Sequence, residues 1–157
     1  MSPPSKIEGH DGPVEIDEIR QTVTKTYTRL EHEIAIEKVN REVAYASRFV
    51  ESLSCVVGLS CPRVLGWDLS VPPRIVMSLC PGEALSSFLR RVGKHDPRNA
   101  EITGKIHDGL EIYVRLFAEP YHDLCFQNLL YDEATGILTF PNFGIPDRVD
   151  KNAGGSP

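Results

Sequence analysis

The sequence predicts an α+β fold, and three features carry that reading. Residues 21–27 are β-branched and alternate, residues 33–52 place apolar side chains at helical spacing, and residues 121–140 read as a loop followed by a hairpin of two short strands. Between them the order strand, helix, strand, helix, helix, loop, hairpin is compatible with such a fold.

Residues 1–13 lack periodicity and contain Pro3, Pro4, Gly9, Gly12 and Pro13. They are expected to be a flexible segment, with structure beginning near Val14. In the strand at residues 21–27, Val23, Lys25 and Tyr27 share one face, and a lysine on the apolar side of a strand is unusual. Ile36, Val39, Val43, Ala46 and Val50 form a stripe about four turns long. Glu42 sits beside that stripe, where its carboxylate can point along the buried edge toward the lysine strand.

After a loop holding Cys61-Pro62, residues 74–80 read as a mostly buried strand that stops at Pro81-Gly82. Residues 83–92 suit a short helix. Beyond a polar break at 93–98, Ile102, Ile106, Leu110, Tyr113 and Phe117 line a second long helix that Pro120 ends. Residues 145–157 carry little apolar content and are expected to be a flexible tail. There is no internal repeat.

Bulk composition narrows the function. A chain of 157 residues, 41% hydrophobic and 25% charged, is of a size to bury one core. Its net charge of -5, with both signs mixed along the chain, argues against nucleic acid or an anionic membrane as partner. No signal-peptide pattern and no apolar run of bilayer length is present, so a cytoplasmic setting is expected. Cys55, Cys61, Cys80 and Cys125 lack the spacing of zinc knuckles or redox pairs and read as reduced thiols.

The chemistry-bearing pattern is Asp123, then Asn128 five positions on, then the hairpin, then Asn142-Phe143-Gly144. A carboxylate facing an acceptor hydroxyl can receive or orient its proton. Nearby side-chain oxygens can gather cations that offset phosphate charge.

This spacing resembles a protein-kinase catalytic loop. Tyr121-His122-Asp123-Leu124 and Asn128-Leu129-Leu130-Tyr131-Asp132 are similar to the loop of the aminoglycoside phosphotransferase and choline kinase family. Residues 75–85 look like the strand, hinge and Pro-Gly helix entry of such enzymes. The resemblance spans residues 14–144 and implies a protein-kinase-like fold: a reduced N-lobe sheet with one helix (14–80), and a minimal C-lobe of helices with a catalytic-loop hairpin (81–144).

It also implies roles. Asp123 would be the catalytic base, while Asn128 and Asn142 would lie near Mg2+. Lys25 paired with Glu42 would hold the ATP phosphates. Met77 would border adenine, and Ser78 to Cys80 would supply main-chain hydrogen bonds.

Three departures temper this activity. Asn142 replaces the aspartate of Asp-Phe-Gly, and a neutral amide should weaken the magnesium site. Upstream of Lys25 only Gly9, Gly12 and Pro13 stand where a glycine-rich phosphate loop is expected. The helices that bind an acceptor in longer relatives have no counterpart after Gly144.

Plainer roles compete for the same residues. Asp123 suits a turn, Lys25 a snorkelling strand edge, and Glu42 a solvated helix position. His32, His95 and His107 fit surface positions, and Cys125 a packing thiol.

The expected function is an ATP-binding phosphotransferase acting on a small hydroxylated molecule or a protein hydroxyl. The alternative is a pseudokinase-like module that binds nucleotide or a partner without turnover. Self-association into a homo-oligomer would cover surface that missing helices otherwise bury.

Overall fold

The computed structural model describes residues 3–121 and 124–140, and everything below concerns those residues. They form a mixed α+β structure. A five-stranded antiparallel sheet is built from β1 (Ser5–Gly9), β2 (Gly12–Asp17), β3 (Thr22–Thr26), β5 (Val64–Asp68) and β6 (Arg74–Ser78), in the order β1-β2-β3-β6-β5. A second sheet of four short strands holds β4 (Leu59–Ser60), β7 (Glu83–Ala84), β8 (Leu130–Asp132) and β9 (Ile137–Thr139), in the order β4-β9-β8-β7. The helices are α1 (His32–Leu53), α2 (Leu85–Val92) and α3 (Arg98–Phe117).

The N-terminal segment corrects the sequence expectation. Residues 5–9 are not irregular: they pair antiparallel with β2, Ile7 opposite Val14 and Gly9 opposite Gly12. Ser5 to Glu8 are exposed, so β1 is an edge strand held mainly by backbone hydrogen bonds, and burial periodicity is not there to be read. Gly12 has φ +143 and no room for a side chain, since a Cβ would overlap the carbonyl oxygen of Thr26.

The sheet expected to be reduced therefore has five strands. Strand β2 was not foreseen either, nor was β5, which turns Leu65 and Trp67 outward, at 57% and 52% exposure, and so does not show the usual apolar-inward signature. A register irregularity between Val64 and Gly66 interrupts its pairing with β6.

The β2–β3 connection is built around Asp17, whose Oδ1 accepts the N–H groups of Ile19 and Arg20, both at 3.0 Å. Gln21 then adopts φ 57 before β3 begins. On β3, Lys25 lies opposite Val14 of β2 and Ile75 of β6, which fixes the sheet face that its side chain shares.

Helix α1 buries Ala35, Val39, Glu42, Ala46, Phe49 and Leu53. The four-three spacing is that of one face of a helix, and Glu42 stands within it instead of beside it. Ile36, counted in the expected stripe, is only half-buried. On α3, Ile102, Gly109 and Tyr113 are buried. Gly109 lies against the ring of Phe140, which follows β9; a Cβ there would overlap the ring.

An aromatic cluster locks these parts together. Phe49 meets Tyr113 edge-on at 5.5 Å between ring centroids and Phe140 at 5.9 Å, while Tyr121 meets Tyr113 at 4.9 Å. It fixes α1, α3 and the β8–β9 hairpin to one another just ahead of the loop that carries residues 124–128.

Candidate functional site

The deepest charged cluster lies between β3 and α1. Lys25 Nζ stands 3.7 Å from Oε2 of Glu42, with the lysine side chain 26% exposed and the glutamate 8%. Two local patterns make the meeting possible. Strand alternation turns Lys25 to the same face as Tyr27, and helix periodicity aims Glu42 inward between Val39 and Ala46.

Tyr27, 2% exposed, lies beside the pair. Burial, and after it the charge of Glu42, push its phenol well above the ordinary tyrosine range, so it stays neutral. Neither the Tyr27 hydroxyl nor Oε2 of Glu42 completes a close hydrogen bond among the described residues. Glu42 is thus a buried carboxylate whose charge is balanced by Lys25 at ion-pair distance, while the phenol contributes its dipole nearby.

Two further residues join this cluster that sequence reasoning did not single out. Lys38 lies one helical turn before Glu42 on α1, and its Nζ contacts Oδ2 of Asp11 at 2.6 Å. Asp11 belongs to the β1–β2 turn, and its carbonyl oxygen accepts the N–H groups of Thr28 at 3.0 Å and Arg29 at 3.1 Å. The i, i+4 spacing of Lys38 and Glu42 was the available signal; the unrecognised hairpin concealed its partner.

At the end of β6, Met77 is buried at 2% exposure and lies opposite Val23. The N–H of Ser78 donates to the Arg63 carbonyl at 2.8 Å, and that of Leu79 to the Gln21 carbonyl at 2.9 Å. Ser78 Oγ accepts the Arg63 N–H at 2.9 Å. Two of the N–H groups expected to face a base are therefore engaged with neighbouring loops. Cys80 is half-buried, and burial raises its thiol pKa. Cys61 is affected more strongly: burial, then the neighbouring Cys80, push it up to about 12.

Asn128 closes a short turn, its N–H donating to the Cys125 carbonyl at 2.8 Å, directly before Leu129 and β8. In the same segment the Phe126 carbonyl accepts the Ser86 N–H at 3.0 Å, which ties the loop to the start of α2. Asp123 and Asn142 lie outside the described residues. So do His122, Phe143, Gly144 and the tail from 145 onward.

Among the described residues, no cluster of three or more His, Cys, Asp or Glu side chains is placed to hold a metal ion. No described helix is long and apolar enough to cross a membrane. No protein-family model matches the chain, and no curated protein matches it.

Proposed function

We propose that the chain is a protein-kinase-like nucleotide-binding domain, with phosphoryl transfer from ATP as its activity. The observation that carries this reading is the pairing of Lys25 with a buried Glu42 across the face of a five-stranded sheet. A lysine so held presents a positioned cation on the inner face, suited to orienting phosphate oxygens. The β6 strand with buried Met77, and the β8–β9 hairpin after Asn128, support the same reading.

In this assignment Asp123 orients the acceptor hydroxyl, and Asn128 and Asn142 approach Mg2+. Lys25 with Glu42 holds phosphates, and Met77 with the main chain of Ser78 to Cys80 borders the base. The acceptor is a small hydroxylated molecule or a protein hydroxyl.

A second reading, a regulatory module that binds nucleotide or a partner without turnover, is favoured by two features. Asn142 offers no charge to a metal ion, and the Ser78 and Leu79 N–H groups already have backbone partners. Both readings require ligand-linked stability, because a molecule that binds only the folded chain must raise its melting midpoint.

The test is thermal unfolding with ATP, with and without Mg2+, followed by ATP turnover. A midpoint raised by ATP and lost in Lys25→Ala supports the binding assignment. Slow turnover abolished in Asp123→Ala and increased in Asn142→Asp supports the enzyme. Equal background rates in all three proteins leave the regulatory reading, and the absence of any ATP-induced shift counts against nucleotide binding in either reading.

A further inference from the structure

Two short connections carry the chain directly between the sheets. Residues 61–63 lead from β4 in the second sheet to β5 in the first, and residues 79–82 lead from β6 back to β7. Each contains one cysteine, Cys61 in the first and Cys80 in the second.

Strand register sets these connections side by side. Val64 pairs with Met77, and one step outward the Ser78 N–H donates to the Arg63 carbonyl at 2.8 Å while the Arg63 N–H donates to Ser78 Oγ at 2.9 Å. Arg63 and Ser78 thus face each other across the antiparallel pair, and two residues further out the same register brings Cys61 opposite Cys80. Strand alternation turns their side chains to one face. Residues opposed in this way lie about 5.5 Å apart at Cα, inside the range of about 4.4–6.8 Å that a disulfide spans. Cys80 Sγ lies 4.0 Å from the Ser78 carbonyl oxygen, on the strand edge that faces Arg63. The Leu79 N–H, bound to the Gln21 carbonyl at 2.9 Å, holds this stretch in place. The thiols also act on one another electrostatically: after burial, Cys80 is what raises the Cys61 thiol to about 12.

We infer that Cys61 and Cys80 form a peroxide-driven disulfide that staples together the two direct connections between the sheets. Cys80, half-buried, is the thiol that an oxidant reaches, and Cys61, 5% exposed, is the resolving thiol. The Cys80 thiolate attacks hydrogen peroxide and breaks the O–O bond. Its Sγ becomes a sulfenic acid, and the departing hydroxide takes up the thiol proton and leaves as water. Cys61 Sγ then attacks Cys80 Sγ. The S–O bond breaks, the S–S bond forms, and the Cys61 proton leaves with the hydroxide as a second water. Two thiols are oxidised and one peroxide is reduced. Burial raises both thiols, so little thiolate is present and the disulfide forms slowly. Once made it resists reduction, because the reduced form gains nothing from a stabilised thiolate.

The experiment uses the full chain with Cys55→Ser and Cys125→Ser, so that the two exposed thiols do not compete. The native protein is treated with hydrogen peroxide, remaining thiols are alkylated after unfolding, and peptides are assigned by mass spectrometry. The expected product is one intramolecular Cys61–Cys80 linkage. It closes a loop of about 20 residues, so the melting midpoint should rise by about 5 °C or more and return when dithiothreitol is added. Adding Cys61→Ala should leave Cys80 as a sulfenic acid that dimedone traps, with Cys61→Ser used if the alanine form does not fold. No dimedone adduct in that variant overturns Cys80 as the thiol oxidised first. Thiols that both stay open to alkylation, Cys80 sulfinic acid without a linkage, or a linked protein whose midpoint does not rise each overturns the staple.

Discussion

Lys25 on β3 and Glu42 on α1 form an ion pair at 3.7 Å whose carboxylate is buried beneath the five-stranded sheet. The pair ties strand to helix, and its energetics are asymmetric. Two charges brought in together largely offset one another's desolvation, whereas one left alone is strongly unfavourable.

Lys25→Met should therefore lower unfolding free energy by about 3 kcal/mol, because Glu42 remains buried without its cation. The double variant Lys25→Met with Glu42→Leu should be more stable than Lys25→Met alone. Urea unfolding of the four proteins in the cycle measures both values. Additive losses would mean that the two side chains do not interact.

Two glycines of α3 should respond to alanine in opposite ways. Gly104 has open space where its Cβ would be, so Gly104→Ala should stabilise the chain by about 0.5–1 kcal/mol through helix propensity. Gly109→Ala drives a methyl into the buried Phe140 ring and should destabilise by about 1–3 kcal/mol. Chemical denaturation of each variant gives the sign directly. A destabilised Gly109→Ala that regains stability with Phe140→Leu locates the clash at that ring.

Acid sensitivity has an identifiable contributor at the start of α3. The Arg98 side chain, and then its backbone N–H, hold the Asp96 carboxyl down at about 2. Unfolding returns Asp96 to the ordinary range near 4, so its contribution is complete above about pH 4 and disappears as pH falls through about 2. Asp96→Asn should melt below the parent at neutral pH, and the two melting curves should converge as pH drops through that window. A constant gap between them would exclude Asp96 as the titrating group.

Thiol labelling should separate the cysteines by environment. Cys55 and Cys125 are exposed, whereas Cys61 is buried with its thiol pushed up to about 12. Brief alkylation of the native protein at pH 8 should modify Cys55 and Cys125 and spare Cys61, with peptide mass spectrometry assigning the sites. Rapid labelling of Cys61 under native conditions would contradict its burial.

Legibility in the sequence followed how each element is stabilised. Helices α1 and α3 and the buried strand β6 were readable because apolar periodicity records one-sided burial. The β8–β9 hairpin was readable from its turn residues. Strand β1 was not, since it buries no apolar side chain, Ile7 included, and backbone pairing holds it; nor was β5, whose Leu65 and Trp67 face outward.

The same contrast governs the candidate site. Lys25 and Glu42 stood out as charges on or beside apolar faces, which is a local property of strand and helix. Their separation of 3.7 Å is not local, because it depends on how α1 lies across the sheet. Asp11 and Lys38 escaped notice because they are 27 residues apart and meet only through the β1–β2 turn.

What the sequence determined by itself was the set of elements with a one-sided apolar pattern and the residue types able to handle phosphate and protons. What only tertiary structure decided was which charges became partners, Lys25 with Glu42 and Lys38 with Asp11. Periodicity acts over a few residues and leaves its mark in composition. Charge pairing acts through space, and its outcome depends on packing between elements far apart in the chain.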